Sequence, residues 1–435
     1  MERPKARILV CLVLAACLGS AIVCAQDPFT LVHQPNINTL APGGDAPVLV
    51  APGRPDLVAV MHPSLSAVGP MLATGSGGVS VLPSLALGAM PTAAIAADVD
   101  GDGQSELVVI TAAGKRIMIL ERTEADTLLF IQQIQLPGVP TAIAAGDLDG
   151  DGSIDLAVTL IDLAGFAIAF NDGTGTLALE PTITGVITPA GIAIGDFDRD
   201  EVNDLAISSE LTDRVSIWLG DGAGVFTSES QSLATGRRPR HLMATDLSRD
   251  ARDDLVVTLN SAGSIERFDA DENGALISQG RPFVGQQPTR VRVVDLDQDT
   301  RPDLVVSLAG EEGYTLLRNA EDGLVVQEVT TPERTFDVSL PDLDADGLPD
   351  FIATTSTALQ AYPALNRTPS LGPRCPGDTN GDLFVDAEDF LMMLVAFGSP
   401  AEPPNDGADL DGDGFVGVSD FFSVLVAFGS VCGDN

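Results

Sequence analysis

Hydrophobic positions along the chain gather into short runs, broken by stretches rich in Asp and Gly. Between residues 188 and 231 the pattern is plain. TPAGIAIGD (188–196) reads as a strand, FDRDEVND (197–204) as a polar loop, LAISS (205–209) as a second strand and RVSIWLG (214–220) as a third. A fourth, VFTSESQ (225–231), follows the turn DGAG. Runs this short, bounded by Gly/Asp turns, predict strands rather than helices. Their β-branched residues and small Ala/Gly positions suit sheets stacked face to face.

The unit recurs along most of the chain. An acidic residue opens a short apolar strand seven times, at Asp56, Glu106, Asp155, Asp204, Asp254, Asp303 and Asp350, with gaps of 50, 49, 49, 50, 49 and 47. A fixed period of 40–50 residues over strand patterns is the signature of a β-propeller. Residues 26–366 are 341 residues, which divide into seven units of about 49. The last unit ends after about three strands, at AYPAL (361–365), and PFTLVHQP (28–35) resembles the fourth strand VFTSESQ. The N-terminal segment is therefore expected to complete the last blade and leave no open sheet edge. The predicted fold over 26–366 is all-β, a seven-bladed β-propeller of four-stranded blades.

The polar positions carry the chemistry. Counting each strand-opening acid as position nine, further acids stand at positions one, three and five. The second repeat has Asp98, Asp100, Asp102 and Glu106, and the third Asp147, Asp149, Asp151 and Asp155. The fourth has Asp196, Asp198, Asp200 and Asp204, and the fifth Asp246, Ser248, Asp250 and Asp254. The sixth has Asp295, Asp297, Asp299 and Asp303, and the seventh Asp342, Asp344, Asp346 and Asp350. Alternating acids in a tight loop can aim several carboxylates at one centre, which is what Ca2+ requires with its six to eight hard oxygen ligands. Asp is also an ordinary turn residue, but six such loops in register favour metal. Gly103, Gly152 and Gly347 supply the positive φ of such a turn. The fifth loop is the weakest, with Ser248 for a carboxylate. The first repeat has Val48, Val50 and Pro52 at the ligand positions and is expected to bind no metal.

Over about 340 residues this arrangement resembles the FG-GAP/VCBS repeats of integrin α-subunit propellers and many bacterial secreted proteins. Gly146 and Gly195 before the loops fit the small-residue pattern of those repeats, while Thr245 and Val294 depart from it. The resemblance implies that calcium stiffens the loop between the first two strands of a blade, a structural role rather than a catalytic one.

After a linker at 367–374 containing TPSLGPR, the period changes. DFLMMLVAFGS (389–399) and DFFSVLVAFGS (420–430) match at eight of eleven positions, offset by 31. Each follows a loop with EF-hand spacing: Asp378, Asn380, Asp382, Asp386 and Asp389 in the first, and Asp409, Asp411, Asp413 and Asp420 in the second, where Gly417 stands at position nine. Gly414 fills the sharp-turn position of the second loop, and Leu383 stands there in the first. Two such loops, each leading into one short helix, resemble a dockerin over about 58 residues. The resemblance implies a small α-helical module at 375–435 that folds on Ca2+ and binds a cohesin-like protein partner. By position, Ala387, Glu388, Val418 and Ser419 would contribute to recognition, and they differ between the two repeats. The phenylalanines Phe390, Phe397, Phe421, Phe422 and Phe428 recur at helical spacing, as a small core would require.

Composition narrows the function classes. Lys and Arg number 23 against 62 Asp and Glu, a formal charge of -39. Such a chain repels nucleic acid and anionic membrane surfaces. Residues 1–25 read as a secretory signal: Arg3, Lys5 and Arg7, an apolar run from Ile8 to Val23, and Val23 and Ala25 at a small-residue cleavage site. The run is short for a membrane span. Leu14-Ala15-Ala16-Cys17 also matches a lipobox, so a lipid anchor at Cys17 stays open beside cleavage. The mature chain then keeps Cys375 and Cys432 at the two ends of the last module, where a disulfide is expected in an oxidising compartment and two free thiols are the alternative.

No catalytic constellation stands out. His33, His62 and His241 sit in unrelated contexts and read as surface or turn residues, and the paired carboxylates are already accounted for by the loops. Arg237, Arg238 and Arg240 form a small basic patch, expected to be salt-bridged to the acidic surface. The sequence therefore leans away from an enzyme. It points to a secreted or cell-surface calcium-binding scaffold whose propeller takes a protein or glycan ligand. A polysaccharide lyase or hydrolase and a calcium-dependent lectin are the alternatives.

Overall fold

The computed structural model describes residues 31–33, 37–38, 45–50, 57–355 apart from 125, 227, 251, 272–273, 321–322 and 345, then 360–366, and Phe390, Leu394, Phe397, Phe421, Val424 and Leu425. Among the described residues between 31 and 366 the chain forms antiparallel sheets, relieved by one-turn 3-10 segments at Pro63–Leu65 and Ile161–Leu163. One sheet holds Pro189–Gly195, Asp204–Ser209, Arg214–Trp218 and Glu229–Ala234 in chain order, the last strand beginning four residues later than the sequence pattern places it. The same meander recurs at Pro91–Gln135, Pro140–Thr184, Pro239–Gly280 and Asp45–Ala86.

The second strand of each meander explains why the sheets stack. Leu57–His62, Glu106–Thr111, Asp155–Leu160, Asp204–Ser209, Asp254–Leu259 and Asp303–Leu308 are buried at every position. A strand covered on both faces reads as an apolar run rather than an alternation. Each of these has at least three apolar residues in a row, with Thr159, Ser208, Ser209 and Thr258 among the polar side chains buried beyond it. Leu156, Val158, Val108 and Ile110 share one cluster between two sheets, and Leu205, Ile207, Ala157 and Ile168 share the next.

First strands lie side by side around the molecule. Pro91–Ala97 touches Pro140–Gly146, followed in turn by Pro189–Gly195, Pro239–Thr245 and Pro288–Val294. The long strand Gly323–Ser339 touches both Pro288–Val294 and Asp45–Val50, and Asp45–Val50 touches Pro91–Ala97, so the contacts return to their start. Close approach at this inner ring demands small residues. A Cβ on Gly195 would stand 2.7 Å from Asp253 Oδ2 and 2.8 Å from the Ala244 Cβ of the next sheet, and one on Gly191 would run into the Arg240 carbonyl oxygen.

The largest sheet contains both ends of the ring. Gly323–Ser339 pairs through its first half with Glu312–Ala320 and through its second half with Phe351–Thr355. Phe351–Thr355 pairs with Gln360–Asn366, and Leu31–His33 completes the edge antiparallel to it, with Leu31 opposite Asn366 and His33 opposite Ala364. The N-terminal segment thus lies where the unfinished last repeat called for a strand.

In the C-terminal region Phe390, Leu394, Phe421, Val424 and Leu425 are helical. The Phe390 and Phe421 rings are 5.2 Å apart and Phe397 meets Phe421 edge-on at 6.2 Å, while Val424 is fully buried. Within the predicted phenylalanine stripe, Phe421 therefore meets both Phe390 and Phe397.

Candidate metal centres

Each acidic loop joins the first strand of a sheet to the second, and the position-one aspartate shapes it. Asp98 accepts from the Gly101 and Gly103 amides at 2.8 and 3.0 Å, Asp147 from Gly150 and Gly152 at 2.7 and 3.0 Å, and Asp196 from Arg199 and Glu201 at 2.6 and 3.1 Å. Positions four and six adopt positive φ in these loops whether or not glycine stands there: Gly103 is at +85° and Gly152 at +89°, but Arg199 is at +70° and Glu201 at +65°. Two amides held by one carboxylate offset the strain of a left-handed non-glycine residue.

The position-nine acid is the buried anchor. Asp155, Asp204, Asp303 and Asp350 are fully buried, and each accepts a backbone amide on both oxygens. Leu148 and Asn171 donate to Asp155 at 2.8 Å each, Phe197 and Gly220 to Asp204 at 2.9 Å each, and Leu343 and Asn366 to Asp350 at 2.8 and 2.7 Å. Burial pushes Glu106, Asp204, Asp303 and Asp350 up to about 7 and Asp155 to about 6, against the opposing pull of those amides, with the neighbouring loop carboxylates raising them further.

Positions one, three and nine converge in four loops. Asp98, Asp100 and Glu106 bring carboxylate oxygens within 4.8 Å of one another, and so do Asp147, Asp149 and Asp155, Asp196, Asp198 and Asp204, and Asp342, Asp344 and Asp350. The position-five acids turn back on their own loops instead: Asp102, Asp151, Asp200 and Asp346 accept the amides of Gln104, Ser153, Val202 and Leu348 at 2.7, 2.7, 2.9 and 2.9 Å. Such a group of hard oxygens could hold a divalent cation. In the 196–204 loop Asp198 Oδ1 is buried and accepts no hydrogen bond, an oxygen whose desolvation a cation would offset.

The other two loops differ. In the sixth, Asp295, Asp297 and Asp299 converge and Asp303 stands outside the group, although the Leu296 and Asn319 amides hold it at 3.0 and 2.8 Å as their counterparts hold Asp155, Asp204 and Asp350. In the fifth, Asp246, Ser248, Asp250 and Asp254 are not brought together as in the others, and Asp250 and Asp254 instead face Arg252 and Arg267 at 3.3 and 3.5 Å. Val48 and Val50 of the first repeat lie in strand Asp45–Val50. Asp56 and Pro52, the C-terminal loop residues Asp378, Asn380, Asp382, Asp386, Asp389, Asp409, Asp411, Asp413 and Asp420, and Cys375 and Cys432 lie outside the described residues.

Two histidines need correction. His62 and His241 are not surface or turn residues: His62 is buried at the end of Leu57–His62, and His241 lies in the inner strand Pro239–Thr245. Burial lowers both, and for His241 Arg290 and Arg292 lower it further. Of the basic patch, Arg238 and Arg240 both pair with Glu210, the latter at 3.9 Å.

A set of asparagines escaped the sequence reading. Asn171, Asn319 and Asn366 each sit 24 residues after a loop start, and each donates its side-chain amide to position two of the preceding loop: Val99 O at 2.6 Å, Leu247 O at 2.9 Å and Leu296 O at 2.7 Å. Their backbone amides hold the position-nine acid of their own loop, so each links two successive loops. Their recurrence in register was the available signal.

Residues 98–158, 147–207 and 196–257 match the FG-GAP-like repeat family. Each window starts on a loop acid and runs through the next loop into its buried strand. Similar solved structures include the BBS1N chain from a complex with ARL6DN, at 16% identity over 78% of this chain and 98% of that one, with a TM-score of 0.57. An inactivated virginiamycin B lyase from Staphylococcus aureus, solved with quinupristin, is 13% identical over 77% and 99%, with a TM-score of 0.52. A functionally unknown protein from Desulfotomaculum acetoxidans is 13% identical over 69% and 89%, with a TM-score of 0.53. At these identities the likeness is one of fold alone. No curated protein matches the chain by sequence. The chain is a repeat β-propeller that carries three FG-GAP-like repeats. Among the described residues no helix is long and apolar enough to cross a membrane.

Proposed function

We propose that this chain is a secreted, calcium-loaded scaffold: a seven-bladed propeller over 26–366 that presents a binding surface, joined to a dockerin-like module at 375–435 that docks it to a cell-surface or extracellular assembly. The reading of seven blades takes the eight-stranded sheet as two blades sharing the continuous strand Gly323–Ser339. The observation that carries the functional reading is the repeated carboxylate group: four loops present the same three positions within 4.8 Å. An all-carboxylate oxygen set of that charge suits calcium rather than the softer, nitrogen- and sulfur-seeking metals. The metal's work is structural, because every converging acid belongs to a loop that ties a first strand to a second and no histidine joins them.

Docking through the last module is supported by the two loop-helix repeats in the sequence and by the ring contacts of Phe421 with Phe390 and Phe397, which bring the two repeats against each other. The solved complex of BBS1N with ARL6DN supports a protein as the propeller's ligand.

The test is thermal unfolding of the purified full chain in millimolar calcium and after EDTA. A site held at about 100 times its dissociation constant adds about 2.7 kcal/mol to stability. Four such sites predict a fall of about 10 °C or more on chelation. An unchanged melt, with no calcium found by elemental analysis, would refute the reading. A pull-down from the producer's surface fraction, with and without EDTA, then identifies the docking partner.

A further inference from the structure

Two of the six loops carry a cation of their own. In the fifth, Arg267 lies between Asp254 and Asp269: its NH2 is 3.5 Å from Asp254 Oδ2 and donates to Asp269 Oδ2 at 2.9 Å, while its Nε donates to Asp269 Oδ1. Arg252 adds a second guanidinium, 3.3 Å from Asp250 and donating to the Ala270 carbonyl at 3.0 Å. Asp246 meanwhile accepts the Asp250 amide at 3.0 Å. In the sixth loop Arg318 Nε donates to Asp297 Oδ2 at 2.7 Å, its NH2 stands 4.0 Å from Asp299, and Arg301 reaches Asp299 at 3.7 Å. Asp297 is fully buried beneath this side chain, whereas its counterparts Asp100, Asp149, Asp198 and Asp344 are at least partly open to solvent.

Neither arginine has an equivalent in the four converging loops. The residues in register with Arg318 there are Glu121, Phe170, Leu219 and Leu365, and those in register with Arg267 are Ile119, Ile168, Ile217 and Pro363. A guanidinium in hydrogen-bond contact with a carboxylate occupies the oxygen a metal would need, neutralises one of the charges that set calcium affinity, and repels a divalent ion a few ångströms away.

We propose that Arg267 replaces the metal of the fifth loop outright and that Arg318 weakens metal binding at the sixth. The propeller then consists of a metal-dependent arc, with loops 98–106, 147–155, 196–204 and 342–350, and an arginine-stapled arc, with loops 246–254 and 295–303. The two arcs respond differently to a fall in calcium: the first loosens and the second keeps its shape. Arg249 NH2, which donates to Thr300 Oγ1 at 3.3 Å, ties the two stapled loops to each other.

This inference rests on the calcium reading above. The experiment is amide hydrogen exchange of the full chain with and without EDTA, resolved by loop, together with calcium titration of wild type, Arg318→Leu and Arg267→Leu. Chelation is expected to speed exchange about tenfold or more in the four metal loops and to leave 246–254 unchanged. Arg318→Leu is expected to tighten calcium binding at 295–303 about tenfold or more, making that loop EDTA-sensitive. Arg267→Leu is expected to speed exchange in 246–254 whether or not calcium is present. If 246–254 loosens with EDTA as much as the others, or Arg318→Leu leaves calcium binding unchanged, the arginine assignment is wrong while the calcium reading stands. If no loop responds to EDTA, both fall together.

Discussion

Asn171→Ala tests whether neighbouring loops are clasped through a single side chain. The Asn171 amide nitrogen donates to Val99 O at 2.6 Å and Ile154 O at 3.1 Å, and its oxygen accepts from the Gly173 and Gly175 amides at 3.2 Å each. Gly173 is exposed, Gly175 and Ile154 are partly so, and water can replace those bonds in the variant. Val99 is buried, and its carbonyl loses its partner in a place water does not reach. An orphaned buried acceptor costs about 1–3 kcal/mol, and the weaker bonds add about 1 kcal/mol, so the expected loss is about 3 kcal/mol. Unfolding entropy near 2.1 cal/mol/K per residue, taken over a cooperative unit of roughly 340 residues, converts this to about 4 °C in Tm. The assay is thermal unfolding followed by the fluorescence of Trp218, the only tryptophan, which lies edge-on to Phe166 with ring centres 5.3 Å apart, alongside circular dichroism. A shift under about 1 °C would show that the clasp carries no energy and that the loops are coupled by apolar stacking alone. Asn171→Asp is expected to be worse at neutral pH, since a carboxylate would face the Val99 carbonyl close to buried Asp155, and to recover as the pH falls and the new acid becomes a donor.

Without metal, the position-nine acids give an unusual pH dependence. Burial raises Glu106, Asp204, Asp303 and Asp350 to about 7 in the folded chain, so the folded state binds their protons more tightly than the unfolded one. That contribution to stability is full below the unfolded carboxylate range near pH 4 and is lost as the pH rises through about 7. In EDTA the Tm should therefore fall between pH 5 and 7.5, while calcium affinity, which needs the ionised acids, rises over the same window; a metal-free Tm that climbs instead contradicts the burial argument. Gly191→Ala drives a methyl into the Arg240 carbonyl oxygen, a backbone atom with no rotamer to escape into, and should cost about 2–4 kcal/mol, read as a loss of Tm or of soluble yield; a neutral variant would show that the inner ring is looser than the geometry implies. Mass mapping of the full chain purified without reductant should recover a peptide linking Cys375 to Cys432, and finding both alkylated as free thiols would remove the expected clasp.

The fold was legible because, from the second repeat to the sixth, an acid recurs at the head of a buried strand. The acid at position nine opens a strand buried on both faces, and such a strand does not alternate; the result is an acid followed by a run of three apolar residues, as in Asp204–Ser209 and Asp303–Leu308. The converging positions one and three were legible for a related reason, since they are fixed by spacing within a single tight loop. What sequence spacing could not supply was contact across strands. Arg267 and Arg318 lie 21 and 23 residues beyond their loop starts, and nothing local indicates that these side chains swing back over the loop. The same holds for Asp337, fully buried between Arg290 at 3.3 Å and Arg292 at 2.9 Å, which belong to the preceding repeat. Acid counting marks the fifth loop as weaker, through Ser248, but gives no sign that the sixth differs from the other four, because it sees only the anions. Charge balance also depends on cations delivered from elsewhere in the sheet, and on the proposal above an arginine supplied by the chain replaces the metal in the fifth loop and weakens its binding in the DxDxD sixth. The number of acidic loops in such a repeat is therefore an upper bound on the number of bound ions, and the residues to inspect before counting are those on the third strand, 21 and 23 positions beyond each loop start.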